Sequence, residues 1–250
     1  MDALIIAAGY GSRLRELADS KPLAEICGIP LIELGVRQAA RAGADKVVVV
    51  TGHEADRLEA FLADLSSRSG IAIEPARVAD WSVPNGYSVM AGAERIAGDY
   101  LLLMADHIFE AEILQRLAKQ GAPGRGVTLA VDRRVTSELV DPDDATWVST
   151  GADGSIRAIG KNIETYDAVE CGAFLATPEL AEAIAAAIRD GAPGSLSNGM
   201  QRLADAGRAA TMDIGEAWWL DVDEPRFHAM AEAQAPQRLP EIFGLQPHTK

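Results

Sequence analysis

A glycine-rich loop with nearby cations follows the first apolar segment of the chain. Its residues are Ala7, Ala8, Gly9, Tyr10, Gly11, Ser12 and Arg13, and Lys21 and Pro22 come shortly afterwards. Glycines let backbone N–H groups surround a phosphate chain, while Arg13 and Lys21 supply positive charge. A dinucleotide-binding fingerprint would need a third glycine where Leu14 stands, and a Walker A loop places its lysine directly after the last glycine. A plain turn would explain the glycines but not the cations, so the loop predicts phosphate binding of another kind.

Carboxylates after one predicted strand and before the last predicted helix could hold a metal ion. Asp106 directly follows an apolar strand pattern, and an acidic residue at the carboxyl end of a parallel strand faces the ligand crevice. Asp221 and Asp223 are expected to face opposite sides of an extended segment, so we expect only one of them to join Asp106. Mg²⁺ prefers one or two carboxylates with water and substrate phosphates, which suits Asp106 with either Asp223 or Asp221. The alternative is helix capping, by Asp106 before a helix from about Phe109 and by Asp223 before Pro225.

Two polar segments and one histidine complete the candidate residues. The segments are Asn85-Gly86-Tyr87-Ser88 and Gly160-Lys161-Asn162. A solvated lysine is the ordinary interpretation of Lys161, but a lysine after a glycine at a strand end could hold a phosphate. His107 is either a general base or a residue that positions the loop backbone.

The elements that must position these residues alternate between strands and helices. Strands are predicted at 3–8, 46–51, 71–77, 100–105, 126–131, 146–150, 155–159, 168–177 and 209–214, and helices at 31–42, 55–67, 87–96, 178–189, 197–206 and 224–232. Such alternation predicts one α/β domain with a doubly wound, mostly parallel mixed sheet and a small β-rich insertion. Asp153-Gly154 predicts a hairpin in that insertion. The segment 235–250 is expected to be a surface extension of the domain at 1–234.

Composition excludes several classes of function. The chain has 250 residues, 48% of them hydrophobic and 24% charged, and a net charge of −14. That charge and the lack of a basic run argue against nucleic-acid binding. No apolar run is long enough to span a bilayer and the N-terminus is not a signal peptide, so a cytoplasmic protein is expected. Cys27 and Cys171 are too few for a disulfide framework or a zinc site.

Taken together, these segments resemble the sugar-phosphate nucleotidyltransferase superfamily, and within it the CTP:inositol-1-phosphate cytidylyltransferases. The resemblance covers about residues 4–232. The superfamily motifs are the glycine-rich loop, Lys21-Pro22-Leu23, Asp106 and Trp219-Leu220-Asp221-Val222-Asp223. The branch motifs are Asn85-Gly86-Tyr87-Ser88, Met104-Ala105-Asp106-His107, Ile159-Gly160-Lys161 and Val169-Glu170-Cys171-Gly172.

The resemblance implies a role for each matching residue. Nucleotide binding is assigned to Ala7, Ala8, Gly9, Gly11, Ser12, Arg13, Lys21, Asn85, Gly86, Ser88 and Asp106. Arg13, Lys21 and Lys161 would act at the reacting centre, and Asp106 with Asp223 or Asp221 would hold Mg²⁺. An acceptor alcohol phosphate would meet Lys161, Glu170 and Gly172, on the side of the β-rich insertion.

The resemblance implies transfer of CMP from CTP to a phosphorylated small alcohol, with L-myo-inositol 1-phosphate as the preferred acceptor. Phosphocholine, aminoethylphosphonate and sugar 1-phosphates present the same attacking group and remain alternatives. Asp221-Val222-Asp223 also resembles the Asp-x-Asp of glycosyltransferases, although such a motif normally lies mid-chain. A silent nucleotide-binding module is a further alternative. The partners expected are CTP and the alcohol phosphate, with a homodimer kept as an option for assembly.

Overall fold

The computed structural model describes residues 1–11, 13, 19–122 and 124–244. The strands are β1 (Asp2–Ile6), β2 (Glu25–Ile26), β3 (Ile29–Pro30), β4 (Lys46–Thr51), β5 (Ala72–Arg77), β6 (Tyr100–Met104), β7 (His107–Phe109), β8 (Val127–Asp132), β9 (Trp147–Thr150), β10 (Ile156–Gly160), β11 (Ala168–Ala176), β12 (Ala209–Asp213) and β13 (Trp219–Asp221). The helices are α1 (Leu31–Arg41), α2 (Ala55–Ser69), α3 (Gly86–Ala93), α4 (Ala111–Gln120), α5 (Pro178–Arg189), α6 (Leu196–Asp205), α7 (Pro225–Arg238) and α8 (Pro240–Phe243), with a 3-10 helix at Lys21–Leu23. No described helix is long and apolar enough to cross a bilayer.

The central sheet confirms the predicted α/β fold. β1 lies between β4 and β6 and is parallel to both, with Ile5 opposite Val49 and Leu103. β5 pairs with β4 and extends the parallel part of the sheet. On the other side, β11 runs antiparallel to both β6 and β8. β12 then pairs with β8 in parallel. The hairpin of β9 and β10, predicted from Asp153-Gly154, joins this mixed sheet through the first residues of β11.

Helices cover both faces of the sheet because the central strands are apolar on both sides. Ile5 packs into one core with residues of α1, α2 and α4, whereas its neighbour Leu4 packs into another with residues of α3, α5 and α6. Successive strand residues point to opposite faces, so a continuous apolar run such as β1 requires a layer of helices on each side. This doubly wound arrangement places the carboxyl ends of β1 and β6 side by side.

Two short antiparallel pairs were not predicted from the sequence. β7 pairs with β13, so that His107 lies opposite Asp221, and β2 pairs with β3. The predicted helix start near Phe109 is wrong, because β7 occupies that position and α4 begins at Ala111. Strands this short carry too few alternating residues to produce a period in the sequence.

The C-terminal segment packs more closely than predicted. α7 continues past position 234, and Ala235, Leu239 and Ile242 are each 0% exposed in a third core beneath α7 and α8. The described part of this segment is therefore not a surface extension. The domain boundary at 234 stays a prediction.

Candidate active site

The glycine-rich loop leaves the centre of the sheet at the end of β1. The backbone N–H of Ala7 donates to the carbonyl of Val50 at 3.0 Å, which continues the parallel ladder. Gly11 has a φ of +61°, and a Cβ atom there would lie 2.4 Å from the Cβ of Lys21. Backbone conformation and close packing therefore both require glycine at this position. Ser12, a predicted phosphate contact, lies outside the described residues.

Lys21 meets Asp106 across the end of the sheet. The lysine opens the 3-10 helix, and its Nζ lies 2.5 Å from Asp106 Oδ2, with the two side chains 14% and 23% exposed. Burial alone would lower the pKa of Lys21, but the charges of Asp106 and Asp221 outweigh burial and raise that pKa. Lys21 is therefore a cation held at a partly buried point beside the strand ends.

Asp106 is positioned by the ladder between β6 and β1. The N–H of Ala105 donates to the carbonyl of Ile6 at 3.2 Å, so Asp106 follows directly where the strands end. Burial would raise the pKa of Asp106, but Lys21 and His107 hold it well below its ordinary value, and the carboxylate is ionised. The N-cap of α4 is Glu110, which excludes the capping alternative for Asp106.

Asp221 and Asp223 both reach the same site. The pairing of β7 with β13 places Asp221 beside Asp106, and Asp223 forms an ion pair with Arg13. The expectation that they face opposite sides is wrong, because β13 ends at Asp221 and strand alternation does not continue to Asp223. Carboxylate oxygens of Asp221, Asp223 and Asp144 lie within 4.8 Å of one another. Glu224 is the N-cap of α7, so Asp223 does not cap that helix either.

These carboxylates fit a divalent cation that prefers oxygen ligands. Asp221 Oδ1 is buried and accepts no hydrogen bond from any described residue, while Asp223 Oδ2, also buried, is in contact with Arg13 through their ion pair. Burial raises the pKa of Asp221 to about 7. Buried carboxylate oxygens are costly without a compensating charge, and a cation would supply it. Asp221 belongs to two sets of converging ligand atoms, one with Asp106 and His107 and one with Asp144 and Asp223.

Asp144 joins two of the predicted phosphate-binding cations and was not predicted from the sequence. Its Oδ2 lies 2.8 Å from Arg13 Nη2, and its Oδ1 forms an ion pair with Lys161. Burial would raise the pKa of Asp144, but hydrogen bonds from Arg13 and Lys161 lower it. The segment Asp141-Pro142-Asp143-Asp144 reads as an exposed turn, and its partner Arg13 lies 131 residues away, so no local pattern indicates the contact.

Two adjoining cavities meet at Lys21 and Asp106. The glycine-loop cavity, of about 190 Å³, is lined by Ala7, Ala8, Gly9, Gly11, Trp81 and Ser88. The carboxylate cavity, also of about 190 Å³, is lined by Arg13, Asp144, Lys161, Glu170, Asp221 and Asp223. Lys21, Asp106, Asn85 and Met104 line both. The shared wall is thus built from the first half of the chain, and residues from the middle and the C-terminal part complete the carboxylate cavity.

The remaining predicted residues have different surroundings. Asn85 Oδ1 accepts from the N–H of Leu196 at 2.8 Å, so its amide NH₂ group is the part that can donate to a ligand. A Cβ on Gly86 would lie 2.3 Å from the carbonyl oxygen of Gly194, which makes Gly86 a packing position. Burial raises the pKa of Glu170 to about 7, and Gly172 packs against the ring of His107.

An aromatic cluster that includes Trp81, a lining residue of the glycine-loop cavity, was also not predicted. The rings of Tyr10 and Trp81 are nearly parallel, with centroids 5.7 Å apart, and His53 meets both edge-on. Tyr10 lies within the glycine-rich loop, whereas Trp81 follows β5. The cluster forms only because the ends of β1, β4 and β5 are adjacent in the sheet.

Comparisons with known proteins found a matching sequence profile and similar chains. Residues 3–205 match the sequence profile of the MobA-like NTP transferase domain. A protein named bifunctional IPC transferase and DIPP synthase from Rubrobacter xylanophilus is 32% identical over 233 residues, which cover 92% of this chain and 51% of that protein. Its namesake from Aquifex aeolicus is 27% identical over 226 residues, 89% of this chain and 49% of that protein. This chain spans about half the length of these curated relatives.

The fold is shared with a solved structure described as the inositol-1-phosphate CTP transferase from T. maritima. The two superpose with a TM-score of 0.80 at 21% identity, over 94% of this chain and 96% of that one.

Proposed function

Because the chain belongs to the MobA-like NTP transferase domain family, as its motifs indicated, we propose that it transfers CMP from CTP to a phosphorylated small alcohol and releases pyrophosphate. L-myo-inositol 1-phosphate is the proposed acceptor. The observation that carries the proposal is the wall between the cavities, where Lys21 lies 2.5 Å from Asp106. A nucleotide in the glycine-loop cavity and an acceptor in the carboxylate cavity would meet at this wall.

The residues of the wall suit an in-line displacement. The acceptor's phosphate oxygen attacks the α-phosphorus of CTP, the new P–O bond forms, and the bond to pyrophosphate breaks. A phosphate monoester has a second pKa of about 6, so the attacking group is largely a dianion at neutral pH and needs no general base. Lys21 would neutralise charge that develops at the α-phosphate, and Arg13 and Lys161 would orient the phosphates.

The charges of the site support a role for Mg²⁺. Among its described residues, the lining of the carboxylate cavity carries six carboxyl groups, from Asp106, Asp141, Asp144, Asp221, Asp223 and Glu170. Fewer side-chain cations face them, and two substrates would add further negative charge. Asp106 with Asp221 or Asp223 would hold Mg²⁺, which would lower the repulsion between the substrate phosphates.

The choice of CTP and of the acceptor is supported by the branch motifs and by the likeness to the solved inositol-1-phosphate CTP transferase. The carboxylate cavity contains carboxyl groups, such as that of Glu170, that can accept hydrogen bonds from a polyol. Carboxylates also suit a choline-like cation, so phosphocholine stays an alternative acceptor, as do aminoethylphosphonate and sugar 1-phosphates. A cytoplasmic location and the option of a homodimer remain part of the proposal.

A substrate screen tests the proposal. The protein is incubated with each of the four ribonucleoside triphosphates and with a panel of phosphorylated alcohols, and pyrophosphate release is measured with and without Mg²⁺. We expect pyrophosphate release when CTP, inositol 1-phosphate and Mg²⁺ are all present, and no release when the acceptor or the metal is left out. Pyrophosphate release with a different alcohol phosphate would identify that compound, and not inositol 1-phosphate, as the acceptor. Absence of pyrophosphate release from every pair would reject nucleotidyl transfer and favour a glycosyltransferase or a silent binding module.

A further inference from the structure

We propose that His107 is a positioning residue that holds the carboxylates of Asp106 and Asp221 in the orientation needed for cation binding. The inference rests on the proposed function, because that function assigns Asp106 to the cation, with Asp221 as one of its two candidate partners. His107 lines the carboxylate cavity, and the displacement reaction gives its imidazole no task.

His107 lies between the two carboxylates. Its Nδ1 is 2.9 Å from Asp106 Oδ1 and 3.7 Å from Asp221 Oδ1. A carboxylate oxygen accepts hydrogen bonds, so the contact with Asp106 Oδ1 calls for the tautomer in which Nδ1 carries the proton and donates it. The other oxygen of Asp106 pairs with Lys21. Two donors from different elements therefore fix the plane of this carboxylate.

The imidazole is itself held from a second direction by Trp219. The two rings are nearly parallel, at 12°, with centroids 6.0 Å apart. The indole Nε1–H donates to Asp132 Oδ2 at 2.8 Å, and Asp132 is 0% exposed at the end of β8. Arg134 Nε donates to Asp132 Oδ1 at 2.9 Å, so the carboxylate that holds the indole is itself charge-paired. This chain of contacts connects the imidazole to the main sheet.

Gly172 provides the space for the ring. A Cβ atom at this position would lie 2.3 Å from His107 Cδ2, and the φ of Gly172 is +71°. The register between β11 and β8 shifts between Glu170 and Phe174, which places Gly172 in a bulge. Bulges beside functional sites redirect the chain locally. Here the bulge admits a ring that would collide with any side chain at position 172.

Donation to a ligand carboxylate is a recognised way in which proteins tune a metal site. Partners of metal ligands typically contribute about 10- to 100-fold to metal affinity. Direct ligation by His107 Nδ1 is the less suitable role, because Mg²⁺ prefers oxygen and Nδ1 is already engaged by Asp106. The geometry therefore assigns His107 to the carboxylates rather than to the cation.

Mn²⁺ binding in the absence of substrates tests the inference without relying on turnover. The free Mn²⁺ signal in electron paramagnetic resonance is measured during titration of the wild type, His107→Leu and His107→Asn. We expect the leucine variant, which lacks a donor, to bind Mn²⁺ at least about tenfold more weakly. The asparagine variant keeps an N–H near the place of Nδ1 and is expected to remain within about threefold of the wild type, since the donor to Asp106 is retained.

Two results would overturn the positioning role. One is wild-type Mn²⁺ affinity in His107→Leu. The other is a directly bound nitrogen in the electron spin echo modulation of the wild-type Mn²⁺ complex, which would make His107 a ligand. If the wild type itself neither binds Mn²⁺ nor releases pyrophosphate with any substrate pair, the proposed function fails instead, so the two failures can be distinguished.

A glycine comparison tests the space for the ring independently of metal. Gly172→Ala combines strain at positive φ with a collision at His107, whereas Gly215 has a similar φ of +65° and no atom within 4 Å of the place that a Cβ would take. We expect Gly172→Ala to unfold at a lower temperature than Gly215→Ala. In a His107→Ala background, Gly172→Ala should lower the unfolding temperature by less, because the ring with which the new Cβ collides is absent. If Gly172→Ala lowered the unfolding temperature equally in the wild-type and His107→Ala backgrounds, the proposed packing of Gly172 against the ring would be contradicted.

Discussion

At the scale of single residues, Lys21 is constrained at both ends of its side chain. Its Cβ prevents any side chain at Gly11, and its Nζ lies 2.5 Å from Asp106. It lines both cavities, so it can contact groups bound on either side of the shared wall. This position suits a cation that stabilises charge during transfer better than one that only binds a substrate.

Replacement of Lys21 tests this role. Lys21→Ala is expected to lower kcat by about 100- to 1000-fold, because it removes a preorganised charge that acts mainly in the transition state. Lys119→Ala, at an exposed lysine of α4, serves as the matched control and should leave kcat unchanged. Steady-state pyrophosphate release gives kcat, and circular dichroism verifies that both variants are folded. A folded Lys21→Ala protein with wild-type kcat would refute the role.

At the scale of elements, α3 packs unusually close to the sheet. A Cβ at Gly92 would lie 2.2 Å from Leu4 Cδ1 and 2.8 Å from Val50 Cγ2. The helix starts directly after Asn85, so this close approach also determines where Asn85 and Ser88 stand relative to the glycine-loop cavity. The packing of α3 therefore affects the two residues of this helix region that are proposed to bind the nucleotide.

Alanine at Gly92 should destabilise the protein although alanine favours helices. We expect overpacking of about 1–3 kcal/mol to exceed the helix-propensity gain of about 1 kcal/mol. Gly35→Ala in α1 is the matched control, because its Cβ would lie 3.4 Å from Ile5 Cδ1, an ordinary contact. Urea unfolding of both variants measures the difference in free energy of unfolding. A more stable Gly92→Ala protein would contradict the close approach.

A buried carboxylate links α1 to α2. The side chain of Glu33 is 3% exposed and forms ion pairs with Arg37, at 2.5 Å, and with Arg68 of α2. Burial would raise the pKa of Glu33, but these arginines lower it below its ordinary value. A lowered folded-state pKa means that the ionised form of Glu33 stabilises the fold. This stabilisation is complete at pH values above the ordinary glutamate pKa, and it is lost as the pH falls through the folded-state pKa.

The prediction is a stability difference that depends on pH. Near pH 7, Glu33→Gln should lower the free energy of unfolding by about 1–3 kcal/mol, since two arginines lose a charged acceptor. The difference from the wild type should narrow below about pH 4.3, the ordinary glutamate pKa. Asp190→Asn, in an exposed pair with Arg202, is the control and should cost no more than about 1 kcal/mol. Denaturant unfolding at several pH values gives the free energy of unfolding of each variant. A difference between Glu33→Gln and the wild type that does not narrow in acid would contradict the lowered pKa of Glu33.

At the scale of the whole molecule, the C-terminal helices close the fold over α1. Arg37 Nη1 donates to the carbonyl of Ile242 at 2.9 Å, and Arg41 Nη2 donates to that of Glu241 at 2.6 Å. Leu239 and Ile242 are fully buried. α7 begins immediately after Asp223 and Glu224, so the packing of this end of the chain also anchors one of the proposed metal ligands.

Truncation tests how far the domain extends. A chain that ends at Gln234 loses two buried aliphatic side chains, each contributing about 1.5–3 kcal/mol, and should unfold roughly 10 °C lower than the full chain. A chain that ends at Gly244 keeps every described contact and is the control. Thermal unfolding by calorimetry compares them. Equal midpoints would support the sequence-based boundary at 234.

The sequence alone was sufficient for the order of the main elements and for naming many of the residues that line the two cavities. β1, β4 and β6 are continuous apolar runs, and helical periods separate them, so a parallel sheet with residues at its carboxyl edge followed directly. Lys21, Asp106, Asp223 and Lys161 were recognisable because a cation after glycines, or an acid after an apolar strand, is a local pattern.

Only the tertiary structure decided which of these residues touch. The pairs Arg13 with Asp144 and His107 with Trp219 join residues far apart in the chain, and the short β7–β13 pair that brings Asp221 to Asp106 has no period of its own. The physical reason is that local patterns reflect backbone propensity and burial, which act over a few residues. Contacts between charges and rings depend on register, bulges and strand ends, which are set when distant segments pack together.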